Sequence, residues 1–284
     1  MLVAHGPMPK LLRILLTGFS FFVFSSFGAF VAYVVLPLAV RGIRDPLERR
    51  KAAQRALHRA TGVYIGFMRR VGLFRLYTPK ELPPILAEAR PAVIISNHPA
   101  LLDILWLVHT IPQATFLAKA DWFRNPLIAP ILRLGGHVPA PGARPGTEGA
   151  AESRAVLDAM VETLESGLNL VIFPEGTRSP PGGLRPFHRG AFEAAMRAKV
   201  PLVCMEIRVD PPILLKGQPW YVVPDVTPTV SISVREIIEP EDFPATTRRL
   251  RRLVRQRYVE SLGVRDVSGM AQPATEPATL AASP

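Results

Sequence analysis

Apolar residues run without a single charge from Ile14 to Val40, 27 positions in all. As a helix this run is about 40 Å long against a hydrocarbon core of about 30 Å, so it reads as a membrane anchor. Leu36-Pro37-Leu38-Ala39-Val40 ahead of Arg41 lacks the small-residue pattern of a cleavage site, which argues against a removed signal peptide. Pro37 is placed to tilt or kink the end of the helix. Gly18, Gly28 and Ser25-Ser26 would permit a break, so a full span and a re-entrant hairpin both stay open. From Asp45 to Val71 the spacing turns amphipathic. Leu57, Ala60, Tyr64, Phe67, Met68 and Val71 recur on one side, while Arg49, Arg50, Lys51, Arg55 and Arg59 crowd the first half. Following an anchor, such a helix is expected to lie on the bilayer with its apolar side down. The plainer alternative is a solvated basic face.

Beyond residue 72 short apolar runs alternate with helical periodicity. Strands are predicted at Ala92–Ser96, Ala114–Ala118, Gly136–Pro139, Leu168–Phe173, Leu202–Ile207 and Thr229–Val234. Helices are predicted at Leu101–Thr110, Pro126–Leu134, Thr147–Ser166, Arg189–Lys199 and Glu241–Ser261. This alternation predicts an α/β fold, a mainly parallel sheet flanked by helices. The organisation is then residues 1–72 as anchor and basic helix, 73–262 as the α/β domain, and 263–284 as a small, polar, disordered tail.

Charge sharpens the first part of this picture. The net charge is +11. Residues 1–72 hold eleven Lys and Arg against Asp45 and Glu48, a net +9 beside the most apolar segment. An anionic bilayer surface is a more economical partner for that block than nucleic acid, for which neither zinc-finger spacing nor an aromatic RNA motif is present. Only Lys10 and Arg13 precede the apolar run. The positive-inside rule therefore puts the chain after Arg41 on the cytoplasmic face, as in a bacterial inner membrane. Cys204 is the only cysteine. That excludes an internal disulfide, and its apolar surroundings suit a buried strand rather than a nucleophile.

The chemistry concentrates in two stretches. Val93 to Ile95 reads as a buried strand that stops at Asn97-His98-Pro99, and a helix pattern starts at once. His98 and Asp103 flank that turn. Across a turn an Asp in the first helical turn can reach back to the imidazole, fix its tautomer and raise its basicity. A His with an Asp five residues on also arises by chance, and Asn97 reads equally well as a helix cap. The second stretch is the strand Leu168–Phe173 running into Pro174-Glu175-Gly176-Thr177-Arg178-Ser179. In open α/β sheets ligands sit beyond the carboxyl ends of strands, so both loops can share one crevice. Gly176 permits close approach and Arg178 offers a planar fork for a phosphate. Pro, Gly, Thr and Ser are equally the residues of a plain surface turn.

Together, Asn97-His98-x-x-x-x-Asp103 and Phe173-Pro174-Glu175-Gly176-Thr177-Arg178-Ser179 resemble the glycerolipid acyltransferase family, whose best-known members acylate lysophosphatidic acid. The resemblance runs from Tyr77 to Pro240. It takes in Lys119-Ala120-Asp121-Trp122 to Gly135-Gly136, then Phe187-His188-Arg189-Gly190-Ala191 and Pro201-Leu202-Val203. It implies transfer of an acyl chain from a thioester, on coenzyme A or acyl carrier protein, to a lipid hydroxyl, with no bound cofactor and no metal. His98 would be the general base and Asp103 its partner. Asn97, Glu175, Gly176, Thr177, Arg178 and Arg189 fall in the family's acceptor-binding blocks, with Arg178 toward the phosphate. His109, His137 and His188 do not show ligand spacing.

One departure stands out. The family's arginine shortly after Gly135-Gly136 is replaced here by His137-Val138-Pro139-Ala140-Pro141-Gly142, with Arg144 a few residues on. Asp210 to Tyr221 also resembles a bacterial subgroup associated with aryl-polyene lipids, which implies another acceptor and a carrier-protein donor. The bland alternative for that stretch is a proline-rich connection packing Trp220 and Tyr221 on the core. Outside the enzyme class stands a catalytically silent lipid-binding protein.

Overall fold

The computed structural model describes residues 8–142 and 146–267. Arg144 and residues 268–284 of the expected tail lie outside the described residues. The chain opens with α1 (Lys10–Phe30), continues through a π turn at Val31–Val35 and ends that rod in α2 (Leu36–Ala39). Then follow α3 (Pro46–Arg70), β1 (Arg75–Tyr77), α4 (Pro84–Ala87), β2 (Val93–Ser96), α5 (Asp103–Thr110), β3 (Thr115–Lys119), α6 (Ala129–Leu134), β4 (Val138–Ala140) and α7 (Gly146–Glu165). The last part comprises β5 (Leu170–Ile172), β6 (Gly183–Leu184), α8 (Gly190–Ala198), β7 (Leu202–Asp210), β8 (Thr229–Ile238), α9 (Thr247–Leu262) and β9 (Arg265–Asp266).

Seven strands form one sheet in the order β1-β8-β7-β2-β5-β3-β4. Every neighbouring pair is parallel except β7 with β8. β2 lies at the centre with helices over both faces, which is why Val93-Ile94-Ile95 is apolar without alternation. Ile94, Val171 and Val203 face a layer built from α3 and α5, where Tyr64, Ile65, Trp106 and Leu107 are buried. Val93, Ile95 and Leu202 face the opposite layer, where α7, α8 and α9 supply Met160, Phe192 and Val254.

The α3 helix corrects one expectation. Its apolar stripe, including Ala60, Tyr64 and Met68, is buried against the protein rather than turned to a bilayer. Buried Gln54 fastens the same helix to β3 and to the turn after α6, donating to Thr115 Oγ1 at 2.9 Å and to the Gly135 carbonyl at 2.8 Å. The rod from Lys10 to Ala39 is long and apolar enough to cross a membrane. It packs lengthwise on the domain: Tyr64 donates to the Ser20 carbonyl at 3.0 Å, and Val31, Leu36 and Val40 cluster with Ala53 and Ala60. Leu11, Leu15, Phe19, Phe22 and Phe30 on its outer side are exposed.

Smaller differences have local causes. α9 starts at Thr247, not Glu241, because Pro240–Asp242 forms a single 3₁₀ turn and the Thr246 side chain caps the helix. Arg265–Asp266 pairs with β6, so the chain just past Gly263 forms a short strand where a disordered tail was expected to begin. Trp220 packs edge-on against Phe21 of α1, ring centroids 6.3 Å apart, and Tyr221 is exposed, so neither joins the core.

Trp106 is fully buried between α3 and the sheet, in edge contact with Phe74. Trp106→Ala should cost about 3–5 kcal/mol of stability, measured by denaturant unfolding in detergent. A loss under about 1 kcal/mol would mean that this layer is not close-packed.

Candidate active site

β2 delivers Ser96 and Asn97 to the carboxyl edge of the sheet, and Asn97 locks its own position there. Its amide group donates to the Ile207 carbonyl and accepts from the Ile207 N–H, each at 2.8 Å, clipping the end of β2 to β7. Asn97 is thus buried in a strand clip, neither a helix cap nor a group facing solvent. The next residue, His98, turns its ring toward the first residue of α5. Its Nδ1 lies 2.8 Å from Asp103 Oδ2, the same oxygen that accepts the Ala100 N–H at 2.8 Å. The Asp103 side chain has no exposure and that of His98 keeps 15%. The ring is stacked on Phe173 at 4.2 Å between centroids.

This arrangement fixes the tautomer. With Nδ1 committed to the carboxylate, Nε2 is the nitrogen left to take a proton from an incoming hydroxyl. Burial pushes the Asp103 carboxyl above its usual range, opposed first by the hydrogen bond from His98, and by the Arg178 charge. The helix N-terminus and the Ala100 N–H favour its ionised form.

The loop after β5 meets this turn directly. Glu175, only 3% exposed, accepts from the His98 N–H at 3.2 Å, from Ser179 Oγ at 2.6 Å and from the Arg185 N–H at 2.9 Å. The Ser179 N–H in turn donates to the His98 carbonyl at 2.7 Å. All of these contacts are internal, so Glu175 positions the His98 turn rather than facing a ligand. Burial raises its carboxyl above the ordinary value, with the three hydrogen bonds opposing the shift. Gly176 has φ +68°, and a Cβ there would also sit 3.0 Å from His188 Nε2, so the loop needs glycine. Thr177 is half-buried beside it.

Arg178 is half-buried and donates to the Leu214 carbonyl at 2.8 Å. Lys216 lies among this arginine and two further cations, Arg185 and Lys119, a grouping that reading the sequence alone missed. Lys216 is pulled below its ordinary pKa by partial burial first, and then by the positive charges of Arg185, Lys119 and Arg178. Lys119 ends β3 at the carboxyl edge of the sheet, the signal that could have found it. Arg185 and Lys216 sit in loops that only the fold brings close. Such a cluster suits a phosphate, and it supplies positive charge where His137 to Gly142 carries no arginine or lysine. Arg189 is not part of it: its side chain is exposed and pairs with Glu193 one turn along α8. His137 is buried and accepts the Phe116 N–H, with burial pushing its pKa down to about 4, a structural role. Among the described residues no group of His, Cys, Asp and Glu has a metal-holding arrangement.

Two outcomes test this geometry. Glu175→Gln replaces one acceptor oxygen by a donor and loosens the turn. It should lower kcat by about 10²-fold while KM changes little, because the displaced group is His98 rather than the substrate. A rise in KM with kcat intact would instead make Glu175 a binding residue. The second concerns pH. A carboxyl whose folded pKa is raised binds protons more tightly folded than unfolded, so it favours folding at low pH. That contribution fades as pH rises from the ordinary Asp value of 3.8 through the folded one. Asp103→Asn should flatten the fall of melting temperature across this window while lowering the rate by about 10²–10⁴-fold. A steeper fall in the variant would contradict the assignment.

Comparison with known proteins finds relatives of the region that holds these residues. Residues 74–208 match the family model described as Acyltransferase. The chain is 35% identical over 122 residues to human 1-acyl-sn-glycerol-3-phosphate acyltransferase beta, covering 43% of this chain and 42% of the human one. It is 32% identical over 115 residues to the 1-acyl-sn-glycerol-3-phosphate acyltransferase of Cocos nucifera, covering 40% and 36%. The matches thus span less than half the length of these curated relatives. The crystal structure of the 1-acyl-sn-glycerophosphate (LPA) acyltransferase from Thermotoga maritima superposes with a TM-score of 0.71 at 22% identity, covering 91% of this chain and 99% of that one, and so shares its fold. The match to the Acyltransferase family model falls on residues 74–208, the part of this chain that holds the His98–Asp103 pair and the Glu175 loop.

Proposed function

We propose that the protein is an O-acyltransferase that moves an acyl chain from a thioester to the free hydroxyl of a 1-acyl-glycerol 3-phosphate, giving phosphatidic acid. The observation that carries this reading is the His98–Asp103 pair at 2.8 Å beside the cation cluster of Lys119, Arg178, Arg185 and Lys216. His98 Nε2 takes the proton of the acceptor hydroxyl as its oxygen attacks the thioester carbonyl. Asp103 stabilises the imidazolium, which returns the proton to the departing thiolate. The new ester bond forms as the carbon–sulfur bond breaks, and no covalent acyl-enzyme is needed. General base catalysis contributes about 10²–10⁴-fold, and the rest comes from positioning. The donor is acyl-CoA or an acyl carrier protein. The exposed apolar side of the rod from Lys10 to Ala39 is the face we assign to the bilayer, with the catalytic domain on the cytoplasmic face of a bacterial inner membrane. The anionic lipid surface is its partner there.

The test is transfer of a labelled acyl chain to 1-acyl-glycerol 3-phosphate by purified protein in lipid. His98→Ala should abolish transfer while the protein still folds; transfer that survives this change would refute the mechanism. Lys119→Ala and Lys216→Ala should each raise KM about tenfold for the phosphorylated acceptor and far less for an unphosphorylated monoacylglycerol. An equal effect on both acceptors would remove the phosphate from the reading.

A further inference from the structure

A narrow, mostly apolar cavity lies between α1, α3 and the connection from β7 to β8, with Thr17, Tyr64, Phe74, Leu102, Leu214 and Trp220 among its walls. Its inner end abuts the site. Leu102 precedes Asp103, and the Leu214 carbonyl holds Arg178. Leu214 keeps a φ of +49°, a left-handed conformation that leucine adopts only when its surroundings enforce it. The outer end lies toward β1 and β8, where Phe74 and Pro228 line it and Arg75 donates to the Pro228 carbonyl. Two strands, β7 and β8, separate β2 from β1.

Arg13 of α1 lines that space, and it is only 2% exposed. Its Nη1 donates to the Pro224 carbonyl at 2.6 Å. Its Nε and Nη2 have no hydrogen-bond partner among the described residues. These two nitrogens share one edge of the guanidinium, the edge that grips a carboxylate with both N–H groups at once. The neighbouring hydroxyls do not answer it: Thr17 and Ser20 donate to carbonyls of their own helix. The acid next to Pro224, Asp225, is paired with Lys10. A buried cation facing only a neutral carbonyl, in apolar surroundings, is costly unless an oxygen acceptor joins it.

We propose that this cavity takes the acyl chain of the thioester and that Arg13 reads the chain's far end, favouring one that terminates in an oxygen acceptor, a carboxylate above all, over one that terminates in methyl. This rests on the acyl-transfer reading above and adds a substrate class to it. The thioester carbonyl lies at His98, the methylenes cross the apolar walls, and the terminal oxygens meet Nε and Nη2.

The experiment compares two medium-chain thioesters of equal length, one ending in carboxylate and one in methyl, with the full-length protein in lipid. The wild type should show a kcat/KM at least about tenfold higher for the carboxylate-ended donor. Arg13→Met should bring that ratio to one or below, and Arg13→Lys, which keeps the charge and loses the fork, should fall between. A wild-type preference for the methyl-ended donor would overturn the proposal, as would a ratio unmoved by Arg13→Met. So would a preference that follows the end of the acceptor's chain instead. Should neither thioester react, the acyl-transfer reading fails, and binding alone then judges Arg13. Trp220 in the cavity wall reports by its fluorescence on a medium-chain dicarboxylate and its monocarboxylate twin. Equal affinities would overturn the proposal, and a tighter dicarboxylate lost in Arg13→Met would support it.

Discussion

One carboxylate oxygen, Asp103 Oδ2, holds the turn from His98 to Asp103 together. It accepts from both the His98 ring and the Ala100 N–H while its side chain is wholly removed from water. A carboxylate in that position is expensive, and leaving it without its partners would cost several kcal/mol. The turn Pro99-Ala100-Leu101-Leu102 therefore has little freedom: it must bring the imidazole and an amide to one atom. The start of α5 assists, since the partial positive charge of a helix N-terminus falls on its first residue.

Everything around the turn keeps it from relaxing. The Asn97 clip ties it to β7 on one side, and Glu175 with Ser179 ties it to the loop after β5 on the other. The three strands that meet there, β7, β2 and β5, are neighbours at the centre of the sheet. Groups on rigid central strands hold their geometry better than groups on loops, and here even the loops are fastened back to strand ends. The buried Glu175 belongs to this scaffolding, although its charge and its place beside Gly176 suggested a binding role.

The site divides space by polarity. On one side stand Lys119, Arg178, Arg185 and Lys216, and on the other the apolar walls between α1 and α3. An amphiphilic substrate is matched by such a boundary, because head and tail each find a suitable environment only when the reacting atoms lie between them. Arg178 stands on the border itself, half-buried and bonded to the carbonyl of the strained Leu214.

Local chemistry was enough to read much of this from the amino-acid order. The apolar run of β2, the break at Pro99 and the helical spacing after it depend on neighbours in the chain. The approach of Asp103 to His98 follows from a separation of five residues across one turn. The α3 stripe shows where such reading stops, since an apolar helix face is the same pattern whether lipid or protein covers it. Only packing decided that Tyr64 and Met68 face the sheet. Glu175 against His98, 77 positions away, and the gathering of Lys119, Arg178 and Arg185 about Lys216 likewise required the sheet order. Periodicity and turn chemistry are carried by adjacent residues, whereas a long-range contact exists only once the strands between its partners have found their places.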